Sequence, residues 1–339
     1  MSTGASSSLR ILVIAAAVFT LSAEARGEAN EIRFAKQFSM GYVQFNVLEH
    51  HKLIEKHARA MGLGEVKVTW STFNGPDAMN TALLSDQVDV VAGGVPGLVT
   101  LWSKTAGTAQ EVRGISALSS QPFLLNTRNA GVKSIRDFSD ADRIAVPTVG
   151  VSVQAVTLQM ACAQTFGKSS YNRLDKLTVS MSPPDATVAL LTGSGLVSSA
   201  FSVPPFQQQQ LENPAIHTVL NSFDVLGGSH SFTVAWTSRK FHDANPKLYR
   251  ALLDALAEAT QVLNADKRAA AALWIEDSKS KLPLDMVYSV LAGTQVKWTL
   301  VPENTMKYAS FMKDVGSIKT APSSWKDLFF PEIQGEPGS

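Results

Sequence analysis

Cysteine is nearly missing from this chain: Cys162 stands alone among 339 residues. An internal disulfide is excluded, and nothing around Cys162 resembles a metal site. Charge is sparse as well, at 17% of residues, and nearly balanced, with 30 basic against 29 acidic side chains. A formal net charge of +1 supplies no field that would hold nucleic acid or an anionic lipid surface. No basic block interleaves with aromatics, so nucleic acid is not an expected partner. Past the N-terminal segment, no apolar run approaches the ~20 residues that span a bilayer. Gly-x-Ser-x-Gly is missing, and so is a glycine-rich loop ending in Gly-Lys-Ser/Thr. His50 and His51 are adjacent and face different sides of a helix. Together with His57 they miss the i, i+4 pair of a helical metal site. Asp86 and Asp89 read as turn and helix-end carboxylates rather than an acid–base pair. No metal and no cofactor is expected.

The N-terminus has the order of a secretory signal. Arg10 precedes an apolar run from Ile11 to Leu21, and Ala23-Glu24-Ala25 supplies small residues where a signal peptidase reads. Residues 1–25 are therefore expected to be removed on export. The alternative is an uncleaved anchor or tail. The remaining chain is long enough for two lobes, because single cores stop growing near ~250–300 residues.

Strand and helix patterns alternate from there. Ile32–Ala35 and Val66–Trp70 read as strands, residues 42–61 as a helix ended by Gly62-Leu63-Gly64, and Asp77–Leu84 as the next helix. Val88–Ala92 reads as a buried strand and Gly93-Gly94-Val95-Pro96 as the loop after it. A second unit repeats the scheme: strand Arg143–Val146, loop Pro147–Ser152, helix Val153–Phe166, strand Leu177–Met181, a helix from Asp185, and strand Leu196–Phe201. Such alternation predicts parallel sheets with helices on both faces. The segment from Asp77-Ala78 to Pro96 resembles that from Asp185-Ala186 to Pro204 in residue order and spacing, which suggests two lobes of like fold. Two extended segments, Pro122–Thr127 and Ser231–Thr237, are expected to pair as a hinge. The amphipathic helix Pro246–Leu263 and the helices Ala269–Trp274 and Leu284–Leu291 are expected to pack on the first lobe. The expected lobes are thus 29–121 with 232–339, and 122–231.

Ligands of such sheets bind outside the carboxyl ends of the strands. That rule selects the loop after the first strand: Gln37 as amide donor and acceptor, Ser39 as hydroxyl, and Phe38, Met40 and Tyr42 as walls. Phe38 and Met40 alternate around Ser39, so they read equally as cleft or core. The rule also selects Gly93, Gly94 and Val95, where no side chain blocks approach at the glycines. Thr148, Val149, Gly150, Val151 and Ser152 precede a helix whose free amides suit an anionic or carbonyl oxygen, while Ser152 alone reads as its cap. Ser202 and Val203 end the equivalent strand of the second unit. His230 stands next to the hinge strand, where a lone histidine reads either as ligand contact or as a satisfied structural residue. Lys36 is the one cation beside these loops, which disfavours a doubly charged anion. Arg113 and Arg128 remain open as groups reaching in from elsewhere. Cys162 falls in an apolar helix and reads as a packed core thiol.

Several motifs together resemble the periplasmic binding proteins of the nitrate, sulfonate, taurine and thiamine-precursor transporters. They are Ala82-Leu83-Leu84-Ser85-Asp86-Gln87-Val88-Asp89-Val90 with Gly93-Gly94-Val95-Pro96, then Val132-Lys133-Ser134-Ile135-Arg136-Asp137-Phe138, then Arg143-Ile144-Ala145-Val146-Pro147-Thr148-Val149-Gly150. Phe241 and Asn245-Pro246 before the long helix fit as well, and the resemblance covers about residues 30 to 310. It implies an α/β fold of two doubly wound lobes joined by a hinge, of the type II periplasmic binding protein kind. It also implies a monomer that clamps one small-molecule ligand, an ABC permease with its ATPase as partner, and no catalysis. The second unit departs from the first by having Leu196 where the first has Asp89. Alternative readings are an exported ligand sensor and an enzyme of the thiamine-pyrimidine synthase type.

Overall fold

The computed structural model describes Met1 and residues 27–339. The export segment, with its expected cleavage after Ala25, lies outside the described residues. The chain opens as β1 (Glu31–Lys36), α1 (Val43–His50), α2 (Leu53–Ala60), β2 (Lys67–Thr72), α3 (Pro76–Leu84), β3 (Val90–Gly93), α4 (Val95–Thr105) and β4 (Val112–Ser120). It crosses over to β5 (Leu124–Thr127), β6 (Ile144–Val146), α5 (Val153–Phe166), β7 (Thr178–Ser180), α6 (Pro183–Thr192), β8 (Ser199–Ser202), α7 (Phe206–Leu211) and β9 (His217–Asn221). After α8 (Ser222–Leu226) it returns as β10 (Ser231–Ser238), α9 (Arg239–Ala244), α10 (Pro246–Ala265), α11 (Lys267–Ser278), α12 (Leu284–Leu291), β11 (Lys297–Trp298), α13 (Thr305–Asp314) and α14 (Trp325–Leu328).

Two separate sheets result, ordered β11-β4-β10-β3-β1-β2 and β7-β6-β8-β5-β9. In the first, β1 runs parallel to β2 and β3, and β10 runs antiparallel to β3 and β4. In the second, β6 runs parallel to β7 and β8, and β5 runs antiparallel to β8 and β9. Both sheets follow one plan. Each takes one internal antiparallel strand, β10 or β5, from chain arriving out of the other half. The repeat noted between Asp77 and Asp185 falls on α3–β3 and α6–β8, which hold equivalent places in the two halves.

Three sequence expectations change. Pro122–Thr127 and Ser231–Thr237 do not pair with each other: each joins the sheet it enters, β5 between β8 and β9, and β10 between β3 and β4. An edge strand of a three-stranded parallel sheet offers a full ladder of partners, which two crossing strands alone would not. Gly93-Gly94-Val95-Pro96 is not a loop. Gly93 ends β3, Gly94 is the N-cap, and Val95 and Pro96 form the first turn of α4. Proline is tolerated there because its missing N–H would have no intrahelical partner. The single helix expected over 42–61 is two, since Lys52 takes φ 50 between α1 and α2.

Period-two alternation explains β10. Phe232, Val234 and Trp236 face one core and Ala235 faces the other, all buried. The core around α1, α2, α10, α11 and α12 covers one face of the first sheet. The core on its other face continues through α4, α5 and α13 into the second half. Tyr308 of α13 meets Thr157 of α5 at 2.9 Å between oxygens. Cys162 is fully buried in that core, and burial pushes its thiol up to about 11.

Candidate functional site

The carboxyl ends of the parallel strands meet between the two halves. Gln37 and Phe38 follow β1, Pro76 follows β2, and Gly94 follows β3. From the other side, Pro147 and Ser152 follow β6, Pro183 follows β7, and Val203 follows β8. All of them line one narrow slot, about 380 Å³ of space between atoms with part of it open to solvent, which Ser39, Tyr42, Gly97, Val153, Gln154 and Phe232 complete. Every parallel strand of both sheets thus delivers a residue to the same cavity.

Four helices, α3, α4, α5 and α6, begin at this slot. The first-turn amides of a helix carry its positive end and have no intrahelical acceptor. Ser152 caps α5 by accepting from the Ala155 amide at 3.4 Å, and Ser182 caps α6 by accepting from the Asp185 amide at 3.3 Å. Gly75 and Gly94, the N-caps of α3 and α4, bring no side-chain acceptor. Pro76 and Pro96 carry no N–H, and the Gly97 amide donates to the Gly94 carbonyl at 2.9 Å, so only the remaining first-turn amides can meet an oxygen of a guest. No charged side chain lines the slot among the described residues. Burial pushes the Tyr42 phenol above its ordinary range, with hydrogen bonds to Gln37 acting in the opposite direction, so it stays a neutral hydroxyl.

The halves touch around the slot. The Met40 amide donates to the Pro204 carbonyl at 2.8 Å, and the Ser39 hydroxyl donates to the same oxygen at 3.1 Å. The Thr148 hydroxyl donates to Asp77 Oδ1 at 2.9 Å. A Cβ added at Gly94 would stand 2.5 Å from Val153 Cβ across the seam. Only a glycine allows this closeness.

A wider chamber of about 1030 Å³, part of it open to solvent, adjoins the slot and shares Gln37, Phe38, Ser39 and Tyr42 with it. Its other walls include Lys36, Trp274 and Asp277 from the first half, and Pro184, Pro205 and Phe206 from the second. Arg113 and Arg128 reach neither space. Arg113 Nε donates to Glu111 at 2.6 Å, and Arg128 Nη1 donates to the Leu190 carbonyl at 2.6 Å.

The profile of the NMT1-like family matches residues 28–276. The chain belongs to the NMT1-like family. A search of curated proteins finds no match. Among solved structures, the alkanesulfonate-binding protein SsuA of Xanthomonas axonopodis pv. citri, bound to MOPS, has a TM-score of 0.66 at 17% identity. That comparison covers 86% of this chain and 96% of the other. The periplasmic aliphatic sulphonate binding protein SsuA of Escherichia coli has a TM-score of 0.64 at 16% identity, covering 89% and 92%. The periplasmic nitrate-binding protein NrtA of Synechocystis PCC 6803 has a TM-score of 0.58 at 13% identity, covering 80% and 74%. The fold of this NMT1-like protein is therefore that of the periplasmic binding proteins.

Of the sequence-selected residues, Gln37, Phe38, Ser39, Tyr42, Gly94, Ser152 and Val203 line the slot. The others sit elsewhere in the NMT1-like chain. Met40 and Val95 are fully buried in the cores. Gly93 lies behind the wall, with the Trp236 ring 3.0 Å and Gln37 Nε2 3.1 Å from the place of a Cβ. Thr148 holds the seam, while Val149 and Gly150 are exposed on its rim and Val151 is half-buried. Ser202 is buried and accepts from Gln210 Nε2 at 2.6 Å. His230 is fully buried in the crossover, away from the slot. It meets Ser222 Oγ and the Ser231 carbonyl at 3.0 Å, ringed by Phe123, Phe223 and Tyr308. An imidazole with both nitrogens partnered inside an aromatic shell is a structural residue, and burial lowers its pKa to about 4. Sequence reasoning missed Pro76, Gly97, Pro147, Val153, Gln154, Pro183 and Phe232. A usable signal existed: Gly75-Pro76 and Ser182-Pro183 each place proline just inside a helix that follows a strand.

Proposed function

We propose that this NMT1-like protein is the solute-binding component of an ATP-driven importer. It is exported by its N-terminal segment, acts as a monomer outside the cytoplasm, traps one small molecule between its halves, and hands it to a membrane permease. The halves move as residues 29–121 with 232–339 against 122–231. One observation carries the reading: all six parallel strands, three from each sheet, end on one slot. A guest there touches both halves at once, so it favours the shut arrangement over the open one. The binding set is Gln37, Phe38, Ser39, Tyr42, Gly94, Ser152 and Val203, joined by Gln154 and Phe232. Amide side chains, hydroxyls and uncapped helix starts supply hydrogen bonds, and aromatic and proline faces supply apolar walls. The slot has no cationic side chain among the described residues. A neutral or singly charged organic molecule suits it better than a doubly charged anion.

The test is native mass spectrometry of the exported protein, followed by a thermal-shift screen with the small molecule released from it. At ~100 times its dissociation constant, the ligand adds about 2.7 kcal/mol of stability. A protein that releases no small molecule and is stabilised by none of the solutes in a broad metabolite panel would refute the proposal.

A further inference from the structure

Three connections run where the halves join: residues 121–123 from β4 to β5, residues 227–230 from α8 to β10, and residues 299–304 from β11 to α13. One motif ties them twice. The Ser222 hydroxyl accepts from the Phe123 amide at 3.1 Å, while the Ser222 amide donates to the Phe123 carbonyl at 3.0 Å. The Ser231 hydroxyl accepts from the Glu303 amide at 2.9 Å, while the Ser231 amide donates to the Glu303 carbonyl at 2.9 Å. Each serine thus satisfies both backbone groups of one residue on a neighbouring connection, and both serines are buried. Asn304 Nδ2 adds a bond to the Ser229 carbonyl at 2.7 Å.

His230 joins the two ties, with Nδ1 at the Ser231 carbonyl and Nε2 at Ser222 Oγ. A carbonyl only accepts, so Nδ1 carries the hydrogen of the neutral ring and Nε2 accepts from the Ser222 hydroxyl. The bonds then run in one direction, from the Phe123 amide through Ser222 and His230 to Ser231. Beside this chain the Phe123 ring lies 5.2 Å from Phe201 of β8 and 5.6 Å from Phe232 of β10, wedged between a strand of each half. Phe232 is also a wall of the slot. A buried polar chain whose members are all partnered holds its parts in one arrangement.

We propose that Ser222, His230 and Ser231 form the hinge joint: they hold the three connections in fixed register, so that the halves swing about this point and meet at the slot in one alignment. They are positioning residues, since none of them lines the slot or the chamber. The inference rests on the clamping action proposed above and adds the place of its pivot. Opening then breaks the seam bonds, Met40 to Pro204 and Thr148 to Asp77, and spares the joint.

The test uses the full mature protein, emptied by unfolding in urea and refolding, with no small molecule added. In the wild type, hydrogen exchange is expected to find the Phe123 and Glu303 amides about tenfold or more slower than the Met40 amide, because only the last opens with the halves. Spin labels at Leu84→Cys on α3 and Val188→Cys on α6, exposed positions of opposite halves, report how widely the halves spread. Ser222→Ala and His230→Leu are each expected to broaden that distance distribution. The double variant should broaden it no further than the stronger single one, because both break one chain of bonds. His230→Gln keeps an acceptor towards Ser222 and should recover part of the narrow distribution. Thr127→Val removes an equally buried hydroxyl whose 3.1 Å bond to the Ser198 carbonyl stays within the second half. It should lower the melting temperature without broadening the distribution. Unchanged distributions in Ser222→Ala and His230→Leu, or equal broadening in Thr127→Val, overturn the inference. So do Phe123 and Glu303 amides that exchange as fast as that of Met40, a comparison that needs no variant to fold. The importer reading fails separately, on a protein that carries and accepts no small molecule at all.

Discussion

Gly94→Ala is the substitution that isolates closure from folding. Gly94 has φ −72 and ψ 150, extended backbone that alanine adopts without strain. Within its own half the added methyl has room. Across the seam it would stand 2.5 Å from Val153 Cβ, 2.8 Å from Cγ1 and 3.3 Å from Cγ2. Ordinary contact needs close to 4 Å between carbons, so the halves must part by about 1 Å or distort. Overpacking of this kind costs about 1–3 kcal/mol. Because only the shut arrangement bears that cost, the dissociation constant for the co-purifying ligand should weaken by about 5-fold to 150-fold. The ligand-free melting temperature should change by no more than about 2 °C. Val153→Gly removes all three opposing atoms from the first position of α5, so the double variant should recover most of the lost affinity. Calorimetry on wild type, Gly94→Ala and the double variant reads this directly. Unaltered affinity in Gly94→Ala, or equal loss in single and double variants, would refute the steric argument.

Thr148→Val breaks the hydrogen bond to Asp77 that crosses the seam. It should raise the ligand dissociation constant by about 2-fold to 10-fold while leaving thermal stability near wild type, again by calorimetry. His230, with its pKa lowered to about 4 from 6.5, resists protonation in the folded protein while the unfolded chain accepts it. Its contribution is intact above pH 6.5 and is lost as pH falls towards 4, by about 3 kcal/mol in all. Urea melts at stepped pH should show this acid loss in wild type and lack most of it in His230→Gln. The Cys162 thiol, buried and raised to about 11, should not react with a thiol reagent at neutral pH until urea unfolds the chain. Ser152→Ala removes the cap of α5 and should cost about 1 kcal/mol, read as a fall in melting temperature.

Much of the fold was legible because its signals are local. Val153–Phe166 and Leu284–Leu291 are helices at the residues the apolar spacing predicts. The loop at Gln37–Gly41 followed from the strand before it and the carboxyl-end rule. What escaped depended on partners far along the chain. Val95-Pro96 resembles a loop locally, yet it opens α4, whose apolar side then packs under Trp236 and α13. Met40 and Phe38 have equal local claims to the cleft; the turn at 40–42 sends Met40 inward and leaves Phe38 on the partition. His230 has polar neighbours in sequence, but in space it sits inside Phe123, Phe223 and Tyr308, and Phe123 and Tyr308 come from distant segments. Trp274 and Phe206, from opposite halves, share a chamber with Lys36 that no local pattern signals.

The claim beneath all of this is that a guest draws the two halves together. Cys162 is buried, so labels placed at Leu84→Cys on α3 and Val188→Cys on α6, both exposed, would stand alone. Pulsed electron resonance between them should give a broad, longer distance distribution without ligand and one narrow, shorter distance with the co-purifying ligand. Identical distributions in the two states would contradict the account.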